Sequence, residues 1–142
     1  MSRILFVCTG NTCRSPMAAE LFNLLARETG KQSRADSCGL SVPFPMPAAQ
    51  EAVAAAAARG FDLSAHRARP VSAALLADTD QVYGMTQAHL RALAARFPEY
   101  QSKLSLLPCG QVPDPYGGDG AVYAACLRAL EPAVRAVLAR LP

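Results

Sequence analysis

Apolar residues along the chain change their period several times, and each change marks an element. "RILFVC", residues 3–8, is a short continuous apolar run followed by turn formers, which predicts a strand buried on both faces. From Ser15 onward the apolar positions fall at helical spacing, predicting a helix over 15–30 with Ser15 as N-cap, Pro16 in the first helical position and Gly30 as the stop. "SRADSCG", residues 33–39, reads as a weaker strand. An alanine-rich helix over 47–59, closed by Gly60, and a short helix over 72–78 come next. "TDQVYGM", 79–85, predicts a strand, "TQAHLRALAARF", 86–97, a helix opened by Thr86 and stopped before Pro98, and "KLSLL", 103–107, a last strand. "PDPYGGDG", 113–120, is a loop dense in turn formers, and the closing helix over 121–141 carries Pro132 as a kink point.

Strands alternating with helices predict an α/β fold: a three-layer α/β/α sandwich with a parallel sheet and about five helices distributed over both faces. Ligands of such sheets bind beyond the carboxyl ends of the strands, and Cys8 stands at the carboxyl end of the first one. Composition narrows the function classes. A length of 142 residues with 51% hydrophobic content suits one domain, residues 1–142, with a real core. The net charge of +3 is mild and the basic residues form no block, so nucleic acid is not expected as a partner. No stretch is apolar enough to span a bilayer, and residues 1–7 are too short for a signal peptide, so a cytoplasmic protein without membrane partners is expected. The five cysteines are odd in number and irregularly spaced, which argues against a disulfide framework. No metal or cofactor is called for, because CxxC-like pairs are absent and only His66 and His89 could join the cysteines as ligands.

The chemistry concentrates in "CTGNTCRSP", between the first strand and first helix. A loop of small residues entering a helix N-terminus turns its backbone N–H groups inward, and the helix dipole adds positive potential, so residues 9–15 form a cradle for phosphate or sulfate. Thr9, Gly10, Asn11, Thr12, Cys13 and Ser15 supply that backbone, and Arg14 adds a planar fork able to bind two oxygens. The same donors favour Cys8 as a thiolate, and a thiolate aimed at bound phosphate is a nucleophile for phosphoryl transfer through a phosphocysteine. Such a reaction also needs a proton donor opposite the nucleophile. Asp114 is a candidate, although "DPYG" alone is more often a plain turn.

"VCTGNTCRSP" resembles the signature of the low-molecular-weight protein tyrosine phosphatase family, in which a CxxxxxRS loop follows the first strand. "LSAHRARPVS", "TDQVYGMTQAHLRAL" and "VPDPYGG" are similar to further family segments in the same order, so the resemblance runs along almost the whole chain. It implies a four-stranded sheet of order 2-1-3-4 and a metal-free hydrolase acting on phosphorylated proteins; a monomer is expected. Residue by residue, it implies Cys8 as nucleophile, Arg14 as phosphate clamp and Asp114, of the Asp-Pro pair, as general acid. Ser15 would stabilise the thiolate as well as cap the helix, Asn11 would take left-handed backbone, and His66 would support the loop. Tyr116 would form an aromatic wall beside the substrate side chain. Cys13, through a reversible disulfide with Cys8, would guard the nucleophile from overoxidation, or else would simply be a small buried residue. Cys38, Cys109 and Cys126 read as ordinary half-buried cysteines, and His89 receives no role.

Two departures bear on the substrate. Tyrosine-specific members often have Ile or Leu where this chain has Thr12, and a second aromatic where it has Gly117. "CTGNTCRSPMAA" with "DPYGG" is similar instead to the family's bacterial protein arginine phosphatases, in which a threonine at that place discriminates. A hydroxyl tolerates a polar guanidinium better than a methyl-rich side chain does. The expectation leans to phosphoarginine, with phosphotyrosine as the alternative. An arsenate reductase fits poorly because residues 70–100 contain no cysteine, and a silent phosphate-binding module fits poorly because Cys8, Arg14 and Asp114 are all present.

Overall fold

The computed structural model describes residues 1–142. Four parallel strands, β1 (Arg3–Cys8), β2 (Arg34–Gly39), β3 (Gln81–Gly84) and β4 (Leu104–Leu106), form one sheet in the order β2-β1-β3-β4. Five α-helices connect them: α1 (Arg14–Glu28), α2 (Gln50–Arg59), α3 (Ala73–Ala77), α4 (Gln87–Arg96) and α5 (Gly120–Ala139). The expected order and sandwich are both present.

The strand periodicity of two builds the layers. In β1, Ile4, Phe6 and Cys8 face the larger core, which they share with Met17, Leu21 and Phe22 of α1, the small alanines of α2, and the apolar stripe of α5 from Tyr123 to Leu138. Leu5 and Val7 face the opposite side, where Leu76 of α3 and Leu93 of α4 close a smaller cluster with Val82. Because β1 is central and covered on both faces, its end is held rigidly, and whatever follows Cys8 inherits that rigidity.

Five local expectations need correction. α1 starts at Arg14, inside the loop motif, and Ser15 is not its cap; the N-cap position falls on Cys13 with no side-chain bond, because the Ser15 hydroxyl is engaged elsewhere. α2 starts at Gln50 and not at Pro47, since Ala49 is held extended by donating its N–H to the Thr12 carbonyl at 3.0 Å. Residues Pro98–Lys103 wind into a 3-10 helix with Pro98 at its start, so Lys103 belongs to that helix and not to the last strand. The cysteines outside the loop are not half-buried: Cys38 and Cys126 are buried and Cys109 is exposed. α5 runs unbroken through Pro132 and is capped by Asp119, whose carboxylate accepts from the Val122 N–H at 3.1 Å.

Candidate active site

β1 ends at Cys8 and α1 begins at Arg14, so the intervening residues make one tight loop over the carboxyl end of the sheet. Its sharpest point is Asn11, the single non-glycine residue with positive φ, at 58°. That geometry is held by four bonds from the fully buried Asn11. Its amide nitrogen donates to Ser15 Oγ at 2.8 Å and to Ser37 Oγ at 2.9 Å. Its side-chain oxygen accepts from the Arg69 N–H at 3.0 Å, and its carbonyl accepts from His66 Nε2 at 2.7 Å. β2 contributes by leaving room: a Cβ on Gly39 would lie 2.6 Å from the Thr9 carbonyl and 3.1 Å from Asn11 Cβ, so only glycine admits the loop.

The direction of these bonds fixes the protons. Because Ser15 Oγ already accepts from Asn11, its own hydrogen points elsewhere, and Cys8 Sγ at 2.8 Å is nearer than the Cys38 carbonyl at 3.5 Å. The Ser15 hydroxyl therefore donates to the Cys8 sulfur, an arrangement suited to a thiolate. Cys13 differs. Its sulfur sits 3.3 Å from the Tyr123 hydroxyl and 3.6 Å from the Thr12 hydroxyl, and burial pushes its thiol up despite those two bonds. Burial likewise pushes Cys38 up to about 12 and Cys126 up to about 11, which keeps them protonated and inert.

Arg14 is buried and joins the loop to the segment before α5. Its Nη1 donates to the Val112 carbonyl at 3.0 Å, its Nη2 lies 3.5 Å from Asp114 Oδ2, and its Nε is a buried donor with no protein acceptor. Asp114 remains half-exposed, with Oδ1 accepting from the Tyr116 N–H at 3.1 Å. Cys8, the loop residues Thr9 to Arg14, Met46, Asp114 and Tyr116 line one cavity of about 220 Å³. A wider groove of about 680 Å³ shares Thr12, Met46 and Tyr116 with it and adds Phe44 and Tyr123. Tyr116 is 81% exposed, so it stands at the rim as a wall open to solvent.

His66 acts on the far side of the loop. Its bond to a carbonyl requires a proton on Nε2, and burial lowers its affinity for a second proton. No three His, Cys, Asp or Glu side chains gather closely enough to hold a metal ion, and no helix is long and apolar enough to cross a membrane.

Several participants were not legible as functional. His89 is buried to 4% exposure and bonds Thr9 Oγ1 through Nε2 at 3.0 Å. Its spacing of three residues from Thr86 was the available signal, since that is the capping-box interval with His in place of Glu or Gln. Tyr123, on the first turn of α5, carried only a helical apolar-face signal, yet its hydroxyl reaches Cys13. Ser37 and the backbone of Arg69 enter through the fold alone.

Known proteins resemble this chain in sequence and in fold. The family model of the low molecular weight phosphotyrosine protein phosphatase matches residues 3–142. The protein-arginine-phosphatase of Bacillus subtilis (strain 168) is 36% identical over 126 residues, 84% of this chain and 83% of its own length. The crystal structure of a low molecular weight protein tyrosine phosphatase from T. tengcongensis superposes with a TM-score of 0.95 at 37% identity, covering 99% of this chain and 100% of that one. A YwlE arginine phosphatase mutant with a phosphorylated active-site serine superposes with a TM-score of 0.93 at 34% identity, covering 98% and 95%. With the family model spanning nearly every residue, the chain belongs to the low molecular weight phosphotyrosine protein phosphatase family, a family of hydrolases.

Proposed function

We propose that this protein removes phosphate from phosphorylated proteins through a phosphocysteine on Cys8, and that its substrate side chain is phosphoarginine. The observation that carries the reaction is the convergence in one small cavity of Cys8, bonded by the Ser15 hydroxyl, with Arg14 and Asp114. Cys8 Sγ attacks phosphorus while the loop N–H groups and the Arg14 guanidinium hold the phosphoryl oxygens. The buried Arg14 Nε finds an acceptor in that anion, where otherwise an unmet donor would cost about 1–3 kcal/mol. As the bond from phosphorus to the leaving nitrogen breaks, Asp114 gives its proton to that nitrogen. Water then attacks the phosphocysteine, the Asp114 carboxylate takes its proton, the S–P bond breaks, and phosphate leaves with Cys8 again a thiolate. The YwlE mutant bearing a phosphoserine supports such a covalent intermediate by analogy.

The choice of substrate rests on Thr12, which lines both the cavity and the groove and presents a hydroxyl where an apolar chain would favour a flat ring. The similarity to the arginine phosphatase of Bacillus subtilis supports the same reading. A phosphotyrosine reading draws on a different observation: Phe44, Met46 and Tyr116 give the groove an apolar wall on which a phenyl ring could lie. Kinetics on paired phosphoarginine and phosphotyrosine peptides, with wild type and Thr12→Ile, decide between them. The arginine reading expects wild type to prefer phosphoarginine and the variant to shift toward phosphotyrosine; a tyrosine preference unmoved by the substitution would overturn it. Phosphate trapped on Cys8 during turnover tests the intermediate, and a Cys8→Ser variant with normal turnover would overturn the mechanism.

A further inference from the structure

His89 lies outside the loop motif, yet its bonds determine what one loop hydroxyl can do. The Thr86 backbone N–H donates to His89 Nδ1 at 3.1 Å, and a backbone N–H has no alternative role. Nδ1 must therefore carry a lone pair, so the neutral ring holds its proton on Nε2. That proton is donated to Thr9 Oγ1 at 3.0 Å. A hydroxyl that accepts from an imidazole N–H sends its own hydrogen elsewhere, and Thr9 Oγ1 makes no other protein hydrogen bond while Thr9 lines the cavity beside Cys8 and Arg14.

The fold makes this reach deliberate in a physical sense. β3 ends at Gly84, where an added Cβ would sit 3.0 Å from Leu90 Cδ2 and 3.3 Å from His89 Cβ. The first turn of α4 thus packs directly against the strand end, which carries the buried ring to the loop. Burial, then the nearby Arg14 charge, opposed by the Asp114 carboxylate, lowers the ring's pKa to about 4, so it stays neutral across the working range of an intracellular-type pH.

On the phosphatase reading above, we propose that His89 is a positioning residue that turns the Thr9 hydroxyl into a donor to the bound phosphoryl group. Thr9 then contributes a side-chain hydrogen bond in addition to its backbone, and the series runs Thr86 N–H to His89, His89 N–H to Thr9, Thr9 O–H to a phosphoryl oxygen. The bond tightens as negative charge gathers on those oxygens in the transition state.

The test uses the full chain with para-nitrophenyl phosphate as substrate and vanadate as a transition-state mimic. Loss of one hydrogen bond to a charged group should weaken vanadate binding by Thr9→Val about tenfold, with kcat/KM falling in parallel. Thr9→Ser, which keeps a hydroxyl, should recover most of that loss. His89→Leu should match Thr9→Val alone but add less than about twofold in the Thr9→Val background, because both act through one hydroxyl. The ring itself gives a readout that a structural role would not move: nitrogen NMR of the wild type should show the Nε2–H tautomer. Because His89 also caps α4, the Thr9 variants and the ring spectrum carry the test if His89→Leu does not fold. Unchanged vanadate affinity in Thr9→Val, additive losses in the double variant, or an Nδ1–H ring would each overturn the proposal while leaving the phosphatase reading standing. A wild type that neither turns over nor binds vanadate would overturn both.

Discussion

Acidification from about pH 7 to about pH 4.5 should destabilise this protein largely through one imidazole, that of His89. An unfolded chain takes up a proton on this residue near its ordinary value of 6.5, whereas the folded protein does so only at about 4. Between those values the unfolded state binds more protons, so the stability contributed by the neutral ring is complete above pH 6.5 and is lost as pH falls toward 4. The gap between 6.5 and about 4, at about 1.36 kcal/mol for each pH unit, amounts to about 3 kcal/mol, most of it lost by about pH 4.5. Its origin is concrete: protonation would set an Nδ1–H against the Thr86 N–H at 3.1 Å, in a site with 4% exposure and with Arg14 nearby. Against a typical total of about 5–15 kcal/mol, that is a large fraction. Urea unfolding followed by circular dichroism at several pH values, for wild type and His89→Gln, isolates the contribution. His66 moves in the same direction and is common to both proteins, so it cancels in the difference. Wild type should lose about 2–3 kcal/mol more than the variant over this range. Curves that stay parallel within about 0.5 kcal/mol, or a wild-type ring that titrates near its ordinary value, would refute the reasoning.

Other outcomes are as definite. Asp114→Asn should slow turnover of poor leaving groups about 10²-fold or more while sparing good ones, measured as a Brønsted series of aryl phosphates; equal losses across the series would remove Asp114 as the acid. Gly39→Ala should cost about 1–3 kcal/mol in thermal or urea unfolding and lower turnover as well, because the new methyl meets the Thr9 carbonyl at 2.6 Å. Cys13→Ser should make peroxide inactivation irreversible to thiol, with mass spectrometry finding a Cys8–Cys13 disulfide in wild type and sulfinic acid on Cys8 in the variant. Reversal in the variant as full as in wild type would dismiss Cys13 as a resolving cysteine.

The layers are readable because β1 and α1 each announce a period, and the strand order follows from the family resemblance carried by the dense motif between them. Local ends were not readable where tertiary bonds override local preference. Ser15 looks like an N-cap because serine usually is one, but the Asn11 amide and Cys8 sulfur claim its hydroxyl. Pro47 looks like a helix start, but the Thr12 carbonyl holds Ala49 extended. Cys8 and Arg14 stand out as chemically unusual in their setting and Asp114 gains its weight only from the resemblance, whereas His89 and Tyr123 serve the site through neighbours 80 and 110 residues away in sequence. Nothing local in the chain signals such long-range partners.

The hydrogen bond from Ala49 to the Thr12 carbonyl separates two duties that meet in one residue. Anchoring the loop to the start of α2 falls to the backbone carbonyl of Thr12, which every amino acid supplies, while its side chain alone faces what enters the groove. On the proposed reading of Thr12, replacement at this position would shift substrate preference without loading the scaffold. A library covering all residues at 12 should yield many folded enzymes of divergent selectivity, so that one loop geometry serves as a common ancestor for distinct phosphoryl chemistries.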